Sequence, residues 1–378
     1  MSATSSRPPE SHRGTAVVWG ALLAVGLATG LWALSRVQLK PEQSTPENWL
    51  NGTAETALNQ SLRLPRQDRM ELASAAIRYR VFGDLGPQVA LGCPQWMFYQ
   101  DGLRESANAH GDVVTPRLRL MQYWHDQLKA RNVALLVVAV PDKARIQSAQ
   151  LCGRAMTDSL HTRYGQLAQT LAARGVAFAD LRPVLESQPQ EMFFRTDVHM
   201  NLTGAERAAK AVAQKALLQL GGVRGTQAFE VSPPSAPAPR LGDLLTLSGL
   251  KDAPAGWRPD LEVVPSQQID VVRGGGLLDE AAPVQVLLAG SSNGLRSNFA
   301  QRLGEGLGQE VWNLSMDGGQ FGGAMFKALA QREQWPASLK LVIWEFSENT
   351  LSLPLTDDEK KAIRQLPSDG QSANKNSN

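Results

Sequence analysis

Two spacings alternate along most of this chain. Residues 133–140, VALLVVAV, form a continuous apolar run, the pattern of a strand buried on both faces of a parallel sheet. Residues 158–175, DSLHTRYGQLAQTLAARG, repeat their apolar positions at helical spacing and stop at Gly175. A second short strand is predicted at 176–181, VAFADL. A second helix is predicted at 203–222, where Thr203 and Glu206 have the spacing of a capping box and two glycines end the run. A Pro-rich passage follows at 231–260. The alternation then resumes with a strand at 284–290, a helix at 296–307, a strand at 310–315, a helix at 323–333 and a strand at 339–346. Strands alternating with helices predict βαβ units, so the fold class is α/β, a mostly parallel sheet with flanking helices. In such a sheet reactive groups gather at the carboxyl ends of the strands. Three loops leave those ends: RTDVHMN (195–201), AGSSNG (289–294) and SMDGGQFGG (315–323).

One segment lies outside this alternation. Residues 14–34, GTAVVWGALLAVGLATGLWAL, carry no charge and are long enough to span a bilayer as a helix. The sequence that follows, SRVQLK, is a poor cleavage site, so the segment reads as an uncleaved signal anchor. Arg7 and Arg13 precede it and Arg36 and Lys40 follow, so charge sets the orientation only weakly. The expected topology has the N-terminus in the cytoplasm and the bulk of the chain exported, as on a bacterial inner membrane facing the periplasm. The expected order is a cytoplasmic N-terminus (1–13), a transmembrane helix (14–35), a linker (36–60) and one catalytic domain (61–353) with a Pro-rich insertion (231–262). A polar tail (354–378) with the composition of a disordered segment ends the chain.

Composition narrows the classes of function. The chain has 378 residues, is 43% hydrophobic and carries a net charge of +2. That supports a full core and argues against a nucleic-acid surface. Cys93 and Cys152 are the two cysteines, too few for a zinc site and too far apart for a CxxC motif. In an exported domain they can pair, which the chain-entropy model values at roughly 4 kcal/mol for a loop of this length. Two buried thiols are the other reading.

Candidate chemistry sits in the three loops. The chain has five histidines, and His199 lies two residues after Asp197, just before a helix start. A carboxylate at Nδ1 fixes an imidazole in the tautomer that leaves Nε2 free to take a proton from a serine. Ser291 and Ser292 follow Gly290 at a predicted strand end, where a sharp turn exposes a hydroxyl. Gly318, Gly319 and Gln320 permit a close backbone approach that offers N–H donors to an oxyanion. Asp-x-His also suits a metal, but His12, His110, His125 and His161 have no ligand-like spacing, and no metal is expected.

The segments RTDVHMNLTGA (195–205), VPDKARI (140–146), GDLLTL (242–247), LLAGSSNG (287–294) and VIWEFSEN (342–349) resemble, in the same order, the AlgJ/AlgX-type O-acetyltransferases of bacterial exopolysaccharide synthesis. The resemblance covers roughly residues 85–350. It implies an SGNH-hydrolase-like domain with Asp197, His199 and Ser292 as catalytic residues. It also points to Ser291, Asn293, Gly318, Gly319, Gln320 and Arg195 as support for the triad or the oxyanion. Met200 and Asn293 stand where the family often has aromatics, and the family's DGWLFY segment appears only as PQWMFYQDG (94–102). The function it implies is transfer of acetyl groups to an exported polysaccharide of alginate or cellulose type. It implies no cofactor, a multipass membrane acyltransferase (MBOAT-like) as donor partner, the exopolysaccharide as acceptor, and other subunits of an acetylation complex. An acetyl esterase with the same triad, and a non-catalytic scaffold or carbohydrate-binding subunit, are the alternatives. Trp96, Tyr99 and Trp312 are either sugar platforms or core.

Overall fold

The computed structural model describes residues 13–38, 40–50, 52–62, 66–104, 112–186, 190–273 and 283–367. Arg7 and His12, His110 and the last part of the polar tail (368–378) lie outside the described residues. The chain divides into two units, residues 1–74 and 75–378. In the first, helix α1 (Arg13–Ser35) is long and apolar enough to cross a membrane. Its apolar side chains are exposed all round, Val17, Trp19, Leu23 and Leu27 among them, as a lipid-facing helix requires. The segment expected as a linker instead contains helices α2 (Pro46–Leu50) and α3 (Thr53–Ser61).

The second unit is built on one sheet of five strands. These are β1 (Ala134–Val140), β2 (Ala177–Ala179), β3 (Val286–Ala289), β4 (Trp312–Asn313) and β5 (Leu341–Ser347). Their order is β4-β3-β5-β1-β2, and every pairing is parallel. Side chains alternate across the sheet, and both faces are dry. Leu136, Val138, Leu288 and Ile343 pack with Ala205, Ala209 and Val212 of α4 (Leu202–Gln219) and with Phe299 and Leu303 of α5 (Phe299–Leu307). Leu135, Val137, Leu287 and Val342 face the other way. There they meet helices Val114–Lys129, Asp158–Ala173 and Gly323–Ala330 through Leu120, Leu167 and Ala328. Truncating one such leucine to alanine costs about 2–5 kcal/mol. The chain runs from β1 outward to β2, then from β3 outward to β4, and returns to place β5 between β1 and β3. Connections that diverge in this way open a crevice at the carboxyl ends of the strands.

Three local expectations are corrected. The cap of α4 is Asn201, whose Oδ1 accepts from the Gly204 N–H at 2.9 Å, so Thr203 already lies inside the helix. The passage expected as a Pro-rich insertion is a folded excursion with two short antiparallel pairs. Phe229–Val231 pairs with Ile269–Val271, and Ala238–Arg240 pairs with Glu262–Val264. The polar tail contains a helix, Asp357–Arg364. Fully buried Arg117 binds both oxygens of Glu359 at 2.7 and 3.0 Å and the carbonyls of Leu351, Leu353 and Pro354. This bidentate pair gives a polar segment a reason to fold. Cys93 and Cys152 are joined, with their Cα atoms 5.6 Å apart.

Candidate active site

The loop after Phe193 brings Asp197 and His199 under the carboxyl ends of β3 and β5. Asp197 Oδ1 lies 2.6 Å from His199 Nδ1 and also accepts the His199 backbone N–H at 3.0 Å. On the other side of the ring, His199 Nε2 is 2.7 Å from Ser292 Oγ. Ser292 heads a short 3-10 turn, Ser292–Leu295, where the first amide has no acceptor within the turn. Gly318, Gly319 and Gln320 line the same cleft as Ser292, and its volume is about 290 Å³. Gly318 and Gln320 have φ of +70° and +49°. That left-handed geometry suits the glycine and is unusual for glutamine.

Asp197 is fully buried, which on its own pushes its carboxyl up. The hydrogen bond and charge of His199 and the charge of Arg240 outweigh that, and hold it well below the usual carboxylate range. Arg240 Nη2 lies 2.7 Å from Asp197 Oδ2, and the Asp243 N–H donates to the same oxygen at 3.2 Å. Arg240 also stacks its guanidinium 3.9 Å over Phe194. Below the loop, buried Lys143 donates to the carbonyls of Met97, Arg195 and Asp197 at 2.6, 2.8 and 2.8 Å. It rests over Trp96 and Phe98. Burial pulls its ammonium down to about 7, while three carbonyl acceptors use all three N–H bonds of the charged form.

The structure separates the two candidate serines. Ser291 turns away from the imidazole and donates to Glu345 through both its N–H (2.6 Å) and its Oγ (2.9 Å). Asn293 is buried. It donates from Nδ2 to Ser347 Oγ at 3.2 Å and accepts the Met200 N–H at 3.4 Å, so it fastens the Ser292 turn to the histidine loop. The Arg195 side chain does not reach Asp197, His199 or Ser292. It bonds Gln95 Oε1 at 3.2 Å and the Asp260 carbonyl at 2.7 Å, and its contribution to the site is the carbonyl that takes Lys143. Tyr99 lines the cleft. Trp96 is buried core and Trp312 packs against the second core cluster.

Asp197, His199 and Asp243 offer ligand atoms within 4.8 Å of one another. Those atoms are in use: Nδ1 faces Asp197, Nε2 faces Ser292, and Asp197 Oδ2 faces Arg240. A cation there would sit beside the guanidinium. The arrangement is therefore better suited to moving a proton than to holding a metal. Arg240, Asp243, Lys143 and Glu345 were not singled out from the sequence. Lys143, Asp243 and Glu345 lie in segments that carry the family resemblance, whereas Arg240 lies in none, and each is remote along the chain from the residue it touches.

A family model described as SGNH hydrolase-like domain, acetyltransferase AlgX, matches residues 89–348. A probable alginate O-acetylase AlgJ of Pseudomonas putida is 28% identical over 348 residues, 88% of this chain and 89% of that one. Its namesake in Pseudomonas syringae pv. tomato is 31% identical over 73% of this chain and 72% of its own. Among solved structures, the O-acetyltransferase domain of Pseudomonas putida AlgJ superposes with a TM-score of 0.62 and 25% identity. The match covers 74% of this chain and all of that domain.

Proposed function

The chain belongs to the family of SGNH hydrolase-like acetyltransferase domains typified by AlgX, and we propose that it acetylates an exported bacterial exopolysaccharide through a Ser292–His199–Asp197 triad. Relatives bearing the names alginate O-acetylase and alginate biosynthesis protein support the acetylation role. The observation that carries the mechanism is the unbroken chain from Asp197 Oδ1 through the imidazole to Ser292 Oγ, at 2.6 and 2.7 Å, opening on one cleft.

Ser292 Oγ attacks the acetyl carbonyl carbon as its proton passes to His199 Nε2. Asp197 holds the imidazolium that forms. The carbonyl oxygen becomes an oxyanion, for which the backbone N–H groups of Ser292 and the Gly318–Gln320 segment, which line the same cleft, are the proposed donors. When the tetrahedral centre collapses, the leaving group departs with its electron pair and takes the proton from Nε2. Acetyl-Ser292 remains. A sugar hydroxyl then attacks the ester as its proton goes to Nε2. Collapse releases the acetylated sugar and returns the proton to Ser292. On the membrane-anchored reading the acetyl group comes from a multipass acyltransferase partner, and the acceptor is a polymer of alginate or cellulose type within an export complex.

The test is mass spectrometry of the protein after an activated acetyl ester, with and without oligosaccharide. Acetyl on Ser292 that moves to sugar faster than to water supports the transferase; loss to water alone supports an esterase. Ser292→Ala is expected to lower turnover by about 10⁴-fold or more, and Ser291→Ala by about tenfold. A dead Ser291→Ala with an active Ser292→Ala overturns the assignment. A wild type that forms no adduct points to a scaffold.

A further inference from the structure

Glu345 is a single carboxyl in the core of β5, 1% exposed, directly beneath the nucleophile turn. Its neighbours along the strand, Trp344 and Phe346, are fully buried, and its parallel partner in β1 is Val138. Both oxygens bind Ser291: Oε2 takes the Ser291 N–H at 2.6 Å and Oε1 takes the Ser291 hydroxyl at 2.9 Å. The hydroxyl in turn accepts the Asn293 N–H at 3.2 Å. Ser292 lies between these two fixed residues. A Cβ on Gly290 would collide with Ser315 Oγ and come within 3.1 Å of Glu345 Oε2, so glycine there lets the carboxyl reach the turn. None of this is needed to fill the core, where an apolar side chain would suffice.

We propose that Glu345 is a positioning residue for the nucleophile: through Ser291 it fixes the turn that holds Ser292 Oγ on His199 Nε2. The proposal rests on the triad reading and adds a second carboxylate to it, acting from beneath the serine while Asp197 acts on the imidazole. The hydrogen bonds from Ser291 are strongest to the ionised form. An ionised Glu345 accepts both Ser291 donors, and the hydroxyl stays free to accept from Asn293.

The groups facing Glu345 are the Ser291 hydroxyl and amide, the Gly294 amide, the Ser315 hydroxyl and His199. Burial pushes its carboxyl up to about 7, against the hydrogen bonds from Ser291 and the charge of His199. Protonation of Glu345 weakens its hold on Ser291, so the nucleophile's reactivity should fall as pH drops below about 7. The stability effect has the opposite sign. An acid whose folded pKa is raised binds its proton more tightly in the native state, so folding stability falls as pH rises from the ordinary glutamate range to about 7. The fold keeps this carboxylate at a cost, which is the mark of a functional rather than a structural group.

The experiment follows sulfonylation of Ser292 by phenylmethanesulfonyl fluoride in the full chain, with the site read by mass spectrometry across pH. Glu345→Gln keeps the volume and is expected to react roughly tenfold more slowly at pH 8, and to lack the part of the acidic limb that protonation of Glu345 imposes. Ser291→Ala should slow the reaction by a similar factor, and the double variant no further, because both act on one path. Thermal unfolding should move in favour of Glu345→Gln, relative to wild type, as pH rises towards 7. Wild-type rate and limb in Glu345→Gln overturn the proposal while leaving the triad intact. So do additive losses in the double variant. If Glu345→Gln fails to fold, a wild-type rate in Ser291→Ala overturns it. A wild type unlabelled at Ser292 overturns the triad and this inference together.

Discussion

Asp197 has no exposed surface, yet its carboxylate takes hydrogen bonds from the His199 ring and amide and the Asp243 amide, and it pairs with Arg240. Burying a lone carboxylate is costly, and Arg240 is the cation that compensates on the side away from the imidazole. Arg240→Gln therefore removes a charge that Asp197 needs. With the cation gone, the carboxyl rises from its lowered value, so ionisation fails at higher pH. The acidic limb of acetylation should move upward, and the rate at neutral pH should fall roughly 10- to 100-fold. The measurement is the pH dependence of acetyl-Ser292 formation; an unmoved limb means that Arg240 only packs on Phe194. In the wild type the depressed Asp197 contributes stability above the ordinary carboxylate range, and that contribution is lost as pH falls through the lowered value. The short Asp-x-His motif and the Gly-Ser-Ser turn made the meeting of Asp197 and His199 with a serine legible in the sequence; the choice of Ser292 over Ser291 rested on the family resemblance, and the structure places Ser292 Oγ beside His199 Nε2. Arg240 was not legible, since it reaches Asp197 from a Pro-rich passage with no periodicity.

That passage shows what pattern reading loses at the scale of elements. Its strands are three residues long and half exposed, too short for alternation to register. Yet the excursion completes the site. Glu262 accepts the Arg195 and Thr196 amides at 2.5 and 3.0 Å and the Thr196 hydroxyl at 2.8 Å, and it lies on the strand paired with Arg240. Thr196 touches the excursion again at Gly242, where a Cβ would collide with the Thr196 carbonyl. The φ of −84° at Gly242 is open to any residue, so glycine is needed for close approach rather than for backbone freedom. Gly242→Ala should push Arg240 and Asp243 off Asp197. Overpacking of this kind costs about 2 kcal/mol, and acetyl-Ser292 formation should fall along with the melting temperature. Calorimetry beside the adduct assay checks both; an unchanged melting temperature means that the loop yields without strain. The tail helix was missed for a related reason. Asp357–Arg364 is polar in composition, and its docking depends on Arg117, more than two hundred residues earlier.

For the whole molecule, the parallel sheet was the easiest part to foresee. β1 and β5 are buried on both faces; β1 reads as an unbroken apolar run and β5 as one interrupted by Glu345, and βαβ alternation follows from the helices between strands. The strand order is less legible, because β5 enters the middle of the sheet through contacts with β1 and β3 that no local spacing encodes. The same contrast governs where the protein sits. Asp197, His199 and Ser292 and the residues that hold them belong to the unit from residue 75 onward, and α1 belongs to the other. A helix that exposes Val17, Trp19, Leu23 and Leu27 to water would associate or aggregate; in a bilayer the same surface is stable. The full chain is therefore expected in the membrane pellet after carbonate extraction, whereas a fragment beginning at Pro41 should be soluble and still form acetyl-Ser292. Protease added outside spheroplasts should digest the folded unit of the anchored protein only if that unit faces the periplasm. A carbonate-soluble full chain removes the anchor, and protection from external protease places the site on the cytoplasmic side, where the acetyl donor would need no membrane partner.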